Sequence, residues 1–177
     1  MFQRTDEVVF LLDRATTLDA TVRALALALE APSEEPKFAL KGIAYKALSD
    51  QHGFTVTLHG LTLWPVYEQV LDRSRDCPDL FARIRLCMPG DSGKVGKTIV
   101  SLLIADTGDY SDDGTTQMGY STYDVSGRPS DLSRYRLSLH IARALQANLP
   151  ALSAAETPPP STETVGNSGP AKSLQAA

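Results

Sequence analysis

Residues 82–104 read ARIRLCMPGDSGKVGKTIVSLLI, and this stretch decides the fold. Segment 82–88 is apolar at its even positions, while Arg83 and Arg85 occupy odd ones, and such alternation indicates a half-buried strand. Segment 98–104 is almost wholly apolar and begins with β-branched residues, which predicts a central strand. The Gly-rich residues between them predict a hairpin turn, so the two strands are expected to pair.

Two further segments have the pattern of strands. Phe54, Val56 and Leu58 alternate with polar residues, and residues 61–64 are expected to extend this strand beyond Gly60. A fourth strand is predicted over about residues 117–125. Because loops rather than helices join most of these strands, antiparallel pairing is favoured.

Helical spacing marks the remaining segments. A helix is predicted from Thr16 or Thr17 to Ala31, and the apolar run before it, 8–12, fits either a strand or a helical turn. A second helix is predicted over 33–52. A short helix is expected after Pro65, because proline fits the first turn. A last helix is predicted to begin at Ser130 or Asp131 and to bury Leu132, Leu137, Ile141, Ala144 and Leu145.

These elements predict an α+β fold with a three- to four-stranded, mainly antiparallel sheet and helices packed on one of its faces. The predicted domain covers residues 1–149. The remainder, 150–177, is rich in Pro, Ser and Thr and contains no aromatic residue. It cannot bury enough apolar surface to offset its ordering entropy, so we expect a disordered tail.

Composition excludes several classes of protein. The chain has 177 residues, of which 42% are hydrophobic and 21% charged, as in ordinary globular domains. It contains no apolar run long enough to cross a membrane, and its N-terminus lacks the features of a signal peptide. The two cysteines, Cys77 and Cys87, are therefore expected as free thiols in the reducing cytosol, and no membrane partner is predicted.

A group of basic residues is the main candidate site. Arg83 and Arg85 share the outward side of one strand, and a second group lies on one stripe of the last helix. The complete predicted surface consists of Arg83, Arg85, Lys94, Lys97, Arg136, His140 and Arg143. On a chain of net charge −4, such a patch predicts a small cytoplasmic accessory or regulatory protein that binds nucleic acid or an acidic protein and has no catalytic centre. A homodimer is left open.

The turn at 90–98 supports one alternative, nucleotide binding. Its candidate residues are Ser92, Gly93, Gly96, Lys97 and Thr98. The segment resembles the phosphate-binding loop of small GTPases with one residue inserted, and that resemblance implies a backbone cradle for phosphates, closed by a lysine and a magnesium-binding hydroxyl. The strict spacing requires glycine at the position of Asp91, and the motif requires a helix where this chain predicts a strand.

The acidic segment 106–114 supports a second alternative. Its carboxylates could imitate the charge of a nucleic acid, which would suit an inhibitory protein. The spacing of Asp109, Asp112 and Asp113 does not match a calcium loop, and the two cysteines lack the spacing of a zinc site. We therefore predict no metal and no cofactor.

Overall fold

A long helix, a meander of strands and a second helix follow one another along the chain. The computed structural model describes residues 5–49, 52–74 and 78–149. The helices are α1 (Thr5–Glu30) and α2 (Asp131–Gln146), with short 3₁₀ turns at Pro36–Phe38 and Asp91–Gly93. The strands are β1 (Ile43–Ala47), β2 (Phe54–Leu58), β3 (Leu61–Asp72), β4 (Asp79–Pro89), β5 (Val95–Ile104), β6 (Asp109–Ser111) and β7 (Tyr120–Ser121).

The strands form one sheet in which each pairs with its neighbours in sequence, and every pairing is antiparallel. The sheet curves into a half-barrel. Its centre is the long ladder between β3 and β4, which runs from the pair Trp64–Cys87 to the pair Asp72–Asp79. This register determines which side chains of β3 and β4 are neighbours on each face.

One face of the sheet carries the core, and both helices pack on it. The strands contribute alternate residues, so that β4, for example, buries Ala82, Ile84 and Leu86 completely. The helices contribute residues at three- and four-residue spacing. The helical members of the core are Leu18, Val22, Leu25, Ala26 and Leu29 from α1, and Leu137, Ile141 and Leu145 from α2.

The predicted strand number is wrong, because the sheet has seven strands rather than three or four. Part of the predicted helix 33–52 is β1, and the helix predicted after Pro65 lies inside β3. Long-range pairing with the neighbouring strands overrides the helical spacing in both segments. Of the strand predicted over 117–125, only Tyr120–Ser121 and a single bridge at Tyr123 form.

The start of the first helix also differs from the prediction. Residues 8–12 belong to α1, which begins at Thr5. The hydroxyls of Thr16 and Thr17 do not cap it. They donate hydrogen bonds to the carbonyl groups of Leu12 and Asp13 within the helix, at 3.2 Å and 3.1 Å.

Other parts of the prediction are confirmed. The fold is α+β, and the strands predicted near 54, 82 and 98 are β2, β4 and β5. The last helix begins as expected, because Ser130 is its N-cap and its hydroxyl accepts a hydrogen bond from the backbone N–H of Ser133 at 3.3 Å.

Neither helix is both long and apolar enough to cross a membrane, within the residues described. The predicted tail 150–177 and Cys77 lie outside those residues.

Candidate partner-binding surface

The side chains of Arg83 and Arg85 lie on the sheet face opposite the core. This placement follows from strand alternation, because Ala82 and Ile84 occupy the core face of β4. The β3–β4 register sets Arg83 opposite Glu68 and Arg85 opposite Val66. We call this side of β3, β4 and β5 the outer face. The first two residues of the predicted patch therefore share one surface, as expected.

One carboxylate serves both arginines. The Oε1 atom of Glu68 lies 3.3 Å from Nη1 of Arg83, which donates a hydrogen bond to it, and 3.4 Å from Nε of Arg85. The Arg85 Nε is itself buried and donates no hydrogen bond to any described atom. Two cations facing one anion leave a net positive charge, and part-exposed ion pairs of this kind are worth less than about 1 kcal/mol. Both guanidinium groups can therefore bind a further acceptor.

An exposed tryptophan lies at the end of the same face. Trp64 precedes Val66 by two residues on β3, and 53% of its surface is exposed although the adjacent Leu63 is completely buried. Beside it runs a groove of about 560 Å³ that is also lined by Met88, Pro89 and Val95. Val95 is 67% exposed. Sequence analysis missed Trp64, although its position next to a core leucine in a strand already indicates that it points outward.

Lysines lie near this groove, on the β4–β5 hairpin. Lys94 lines the groove directly, and Lys97 is exposed in the first part of β5. Neither makes an ion pair with another described residue. Of the seven predicted basic residues, Lys94 thus lines the groove, Arg85 lies opposite Val66 of its lining, and Arg83 lies two residues further along the outer face. Whether they bind a partner stays a prediction.

The glycines of this hairpin serve the turn. A Cβ atom on Gly96 would lie 2.6 Å from the carbonyl oxygen of Met88, and one on Gly90 would lie 2.7 Å from that of Lys94. The backbone N–H of Gly90 donates to Lys94, and that of Lys94 donates to Asp91. These N–H groups bond within the turn, and β5 follows it.

That geometry leaves the nucleotide alternative without support among the described atoms. A phosphate-binding loop keeps its N–H groups free for phosphate and continues into a helix. Here Gly93 and Gly96 lie in a hairpin, and the hydroxyl of Thr98 is 3.4 Å from the sulfur of Cys87 on the neighbouring strand. The side chain of Ser92 lies outside the described part of the chain.

The remaining basic residues lie elsewhere. Arg136, His140 and Arg143 belong to α2, which packs on the core side of the sheet. The Nδ1 atom of His140 is 3.3 Å from a carboxylate oxygen of Asp112. Arg136 lies near Tyr120 of β7. Burial raises the pKa of this tyrosine, and the positive charge of Arg136 partly opposes the rise. The structure therefore divides the predicted patch between two sides of the molecule, and His140 of α2 lies next to Asp112 of the acidic segment.

Each carboxylate of the acidic segment 106–114 makes a hydrogen bond or an ion pair with another residue of the protein. The Asp113 carboxylate accepts hydrogen bonds from the backbone and hydroxyl of Thr115, at 3.0 Å and 2.8 Å, and these bonds lower its pKa. The Oδ2 atom of Asp106 lies 3.0 Å from Nη2 of Arg14, and the carboxylate of Asp112 pairs with His140. Such pairing weakens the case for charge mimicry. No group of three or more potential metal ligands occurs among the described residues.

A second polar cluster was not foreseen. The Tyr67 hydroxyl donates to Asp19 at 2.5 Å, and Gln69 donates to the same carboxylate oxygen at 3.1 Å. His52 lies 3.7 Å from the other oxygen. Burial, with the Asp19 hydrogen bond, raises the pKa of Tyr67 to about 12. The Tyr67 hydroxyl therefore remains a donor to Asp19 above the pH at which an ordinary tyrosine ionises, and the cluster holds α1 against β3.

Comparison of the chain with protein-family models, with curated proteins and with solved structures finds no match. The geometry of the outer face therefore carries the functional argument.

Proposed function

We propose that the protein is an accessory protein that binds an acidic segment of another protein on its outer face. The observation that carries the proposal is the exposed Trp64 and its apolar groove, on the same face as Arg83 and Arg85. A large apolar side chain of the partner would enter the groove, and its carboxylates would bind the two guanidinium groups. Arginine suits this role because its planar fork can bond both oxygens of a carboxylate.

The chemistry of the face favours an acidic protein segment over a nucleic acid. Glu68 stands between the two arginines, so a continuous phosphate backbone would meet a negative charge at the centre of the site. Trp64 offers a single exposed ring there, whereas proteins that bind single strands stack successive bases on several aromatic residues.

The apolar groove supplies the affinity in this proposal, and the cations supply the selectivity. Burying one large apolar side chain is worth about 1.5–3 kcal/mol. Trp and Arg are the residues most often found to dominate binding energy at protein interfaces, and here both lie on one face. We keep the reducing cytosol as the expected compartment, since Cys87 is a free and buried thiol.

Peptide binding tests the proposal. A labelled peptide of alternating Glu and Phe is titrated with the protein in a fluorescence anisotropy experiment, beside a matched Glu–Ser peptide and a labelled oligothymidine strand. We expect the Glu–Phe peptide to bind best. Trp64→Ala should reduce its advantage over the Glu–Ser peptide, and Arg85→Glu should weaken binding of both peptides.

Arg143→Glu is the matched control, because it makes the same charge change on α2. It should leave the affinity for the peptide nearly unchanged. Equal losses in Arg85→Glu and Arg143→Glu would show a non-specific charge effect and contradict the proposal. Tighter binding of the oligothymidine strand would identify a nucleic acid as the partner instead.

A further inference from the structure

Helix α1 has a second stripe of residues, on the side away from the core. It consists of six exposed residues that follow one line along the helix: Val9, Leu12, Thr16, Ala20, Arg23 and Leu27. Three are large apolar residues, with 53% of Val9, 63% of Leu12 and 54% of Leu27 exposed. We call these six residues the α1 stripe. Large apolar side chains that share one exposed helix face are typical of an interaction surface.

The spacing makes the α1 stripe straight and long. Successive members are three or four residues apart, which keeps them on one side of an α-helix. From Val9 to Leu27 the stripe extends about 27 Å at 1.5 Å per residue. The apolar residues lie toward its ends, and Thr16 and Ala20 occupy its centre. Small side chains at the centre allow a second helix to approach closely.

We propose that the α1 stripe is the contact surface of a homodimer in which two α1 helices pack antiparallel. A twofold axis at the level of residue 18 places Val9 of one copy against Leu27 of the other. Thr16 then meets Ala20 of the second copy, and Leu12 lies level with Ala24. Within the α1 stripe the axis therefore exchanges Val9 with Leu27 and Thr16 with Ala20, as a twofold interface requires.

Charge determines the direction of packing. Arg23 belongs to the stripe and Asp13 lies beside it; both are exposed, and neither makes an ion pair with another described residue. In the antiparallel dimer, Asp13 of each copy is level with Arg23 of the other, within reach of that long side chain. A parallel pair would set Asp13 beside Asp13 and Arg23 beside Arg23, which repel. Opposite charges at matching levels also argue for a second copy as the occupant of this face.

Sedimentation velocity over a range of protein concentrations tests the dimer. Wild-type protein should associate reversibly into a dimer. Leu12→Glu and Leu27→Glu each place a charge in the apolar stripe and should raise the dissociation constant about tenfold or more. Val125→Glu is the matched control, since Val125 is fully exposed outside α1 and should leave the dissociation constant unchanged. Circular dichroism verifies that all variants remain folded.

Charge exchange tests the antiparallel register. Asp13→Arg and Arg23→Asp should each weaken self-association, because each creates like charges at the same level. Mixing these two variants should restore dimers, since every Arg then faces an Asp in the mixed pair. A monomeric wild-type protein, a dimer that resists Leu12→Glu, or mixed variants that fail to associate would each overturn the proposal.

Discussion

Glu68 on β3 lies directly opposite Arg83 on β4, and its carboxylate also reaches Arg85, two residues further along the same strand. This arrangement partly neutralises the outer face without removing its positive charge. A partner's carboxylate must compete with Glu68 for the guanidinium groups. The affinity of the outer face for acidic segments is therefore set by Glu68 as well as by the arginines.

Glu68→Gln should strengthen binding of the Glu–Phe peptide. The substitution removes the competing negative charge and keeps a side chain of similar shape. The free energy of unfolding should change by less than about 1 kcal/mol, because the ion pairs are partly exposed. Anisotropy titrations at low and high salt measure the gain, which should shrink as salt screens the charges. Unchanged or weaker affinity would show that the peptide does not reach these arginines.

Gly96→Ala tests the explanation of the Gly-rich turn. The new Cβ atom would lie 2.6 Å from the backbone oxygen of Met88, which cannot move without disturbing β4. We expect the free energy of unfolding to fall by about 1–3 kcal/mol. Gly119→Ala is the control, because no atom lies within 4 Å of its Cβ position. Urea denaturation compares the two, and equal stability would contradict the close contact.

The sequence predicted an element correctly where its outward and inward residues differ in polarity. In β4 the outward residues Arg83 and Arg85 are charged and the inward ones apolar, so alternation is visible. In β3 the outward residues Trp64 and Val66 are as apolar as the inward ones, and the period of two disappears. What remains after Pro65 fits helical spacing, so a short helix was predicted there, whereas residues 61–64 were expected as strand and are the start of β3.

The candidate site was only partly predictable for a related reason. The outward direction of Arg83 and Arg85 depends on their own strand alone. That Trp64 shares a face with Arg85 depends on the register of β3 against β4, which local sequence does not encode. The contact of His140 with Asp112 likewise joins elements distant in the chain. Predicting one basic patch required that the α2 edge meet β4, whereas α2 packs on the other side.

Tyr45 should make the protein less stable at alkaline pH. Burial raises its pKa to about 12, although the hydrogen bond between its hydroxyl and that of Ser138, at 2.7 Å, partly opposes this rise. In the unfolded chain a tyrosine ionises near pH ~10. Between these values the unfolded state binds fewer protons than the folded state, so stability falls as pH rises from about 10 to about 12.

Tyr45→Phe isolates this contribution. The Ser138 hydroxyl keeps its bond to the carbonyl of Arg134 at 2.8 Å, so the variant should remain folded. Above pH ~10 the free energy of unfolding of the variant should fall less steeply with pH than that of wild type. The difference in slope should correspond to about one bound proton. Urea denaturation at several pH values measures both slopes. Identical slopes in the two proteins would contradict a buried, protonated Tyr45.

Arg14 should be the most important single charge for docking α1 on the sheet. Its guanidinium pairs with the carboxylates of Asp79, at the start of β4, and Asp106, which follows β5. Only 19% of the arginine side chain is exposed, so the three charges are largely shielded from water. Arg14→Met removes the shared cation and leaves two part-buried carboxylates without it. Because uncompensated buried charge is costly, we expect a loss of about 2–3 kcal/mol in the free energy of unfolding.

Two further variants separate this charge effect from lost packing. Adding Asp106→Asn to Arg14→Met removes one of the two repelling carboxylates and should recover part of the stability, although no contact is restored. Arg73→Met is the matched control at an exposed position and should stay within about 0.5 kcal/mol of wild type. Urea denaturation at one protein concentration compares all four proteins. If the double variant were no more stable than Arg14→Met, the loss would come from the packing of the arginine stem and not from its charge.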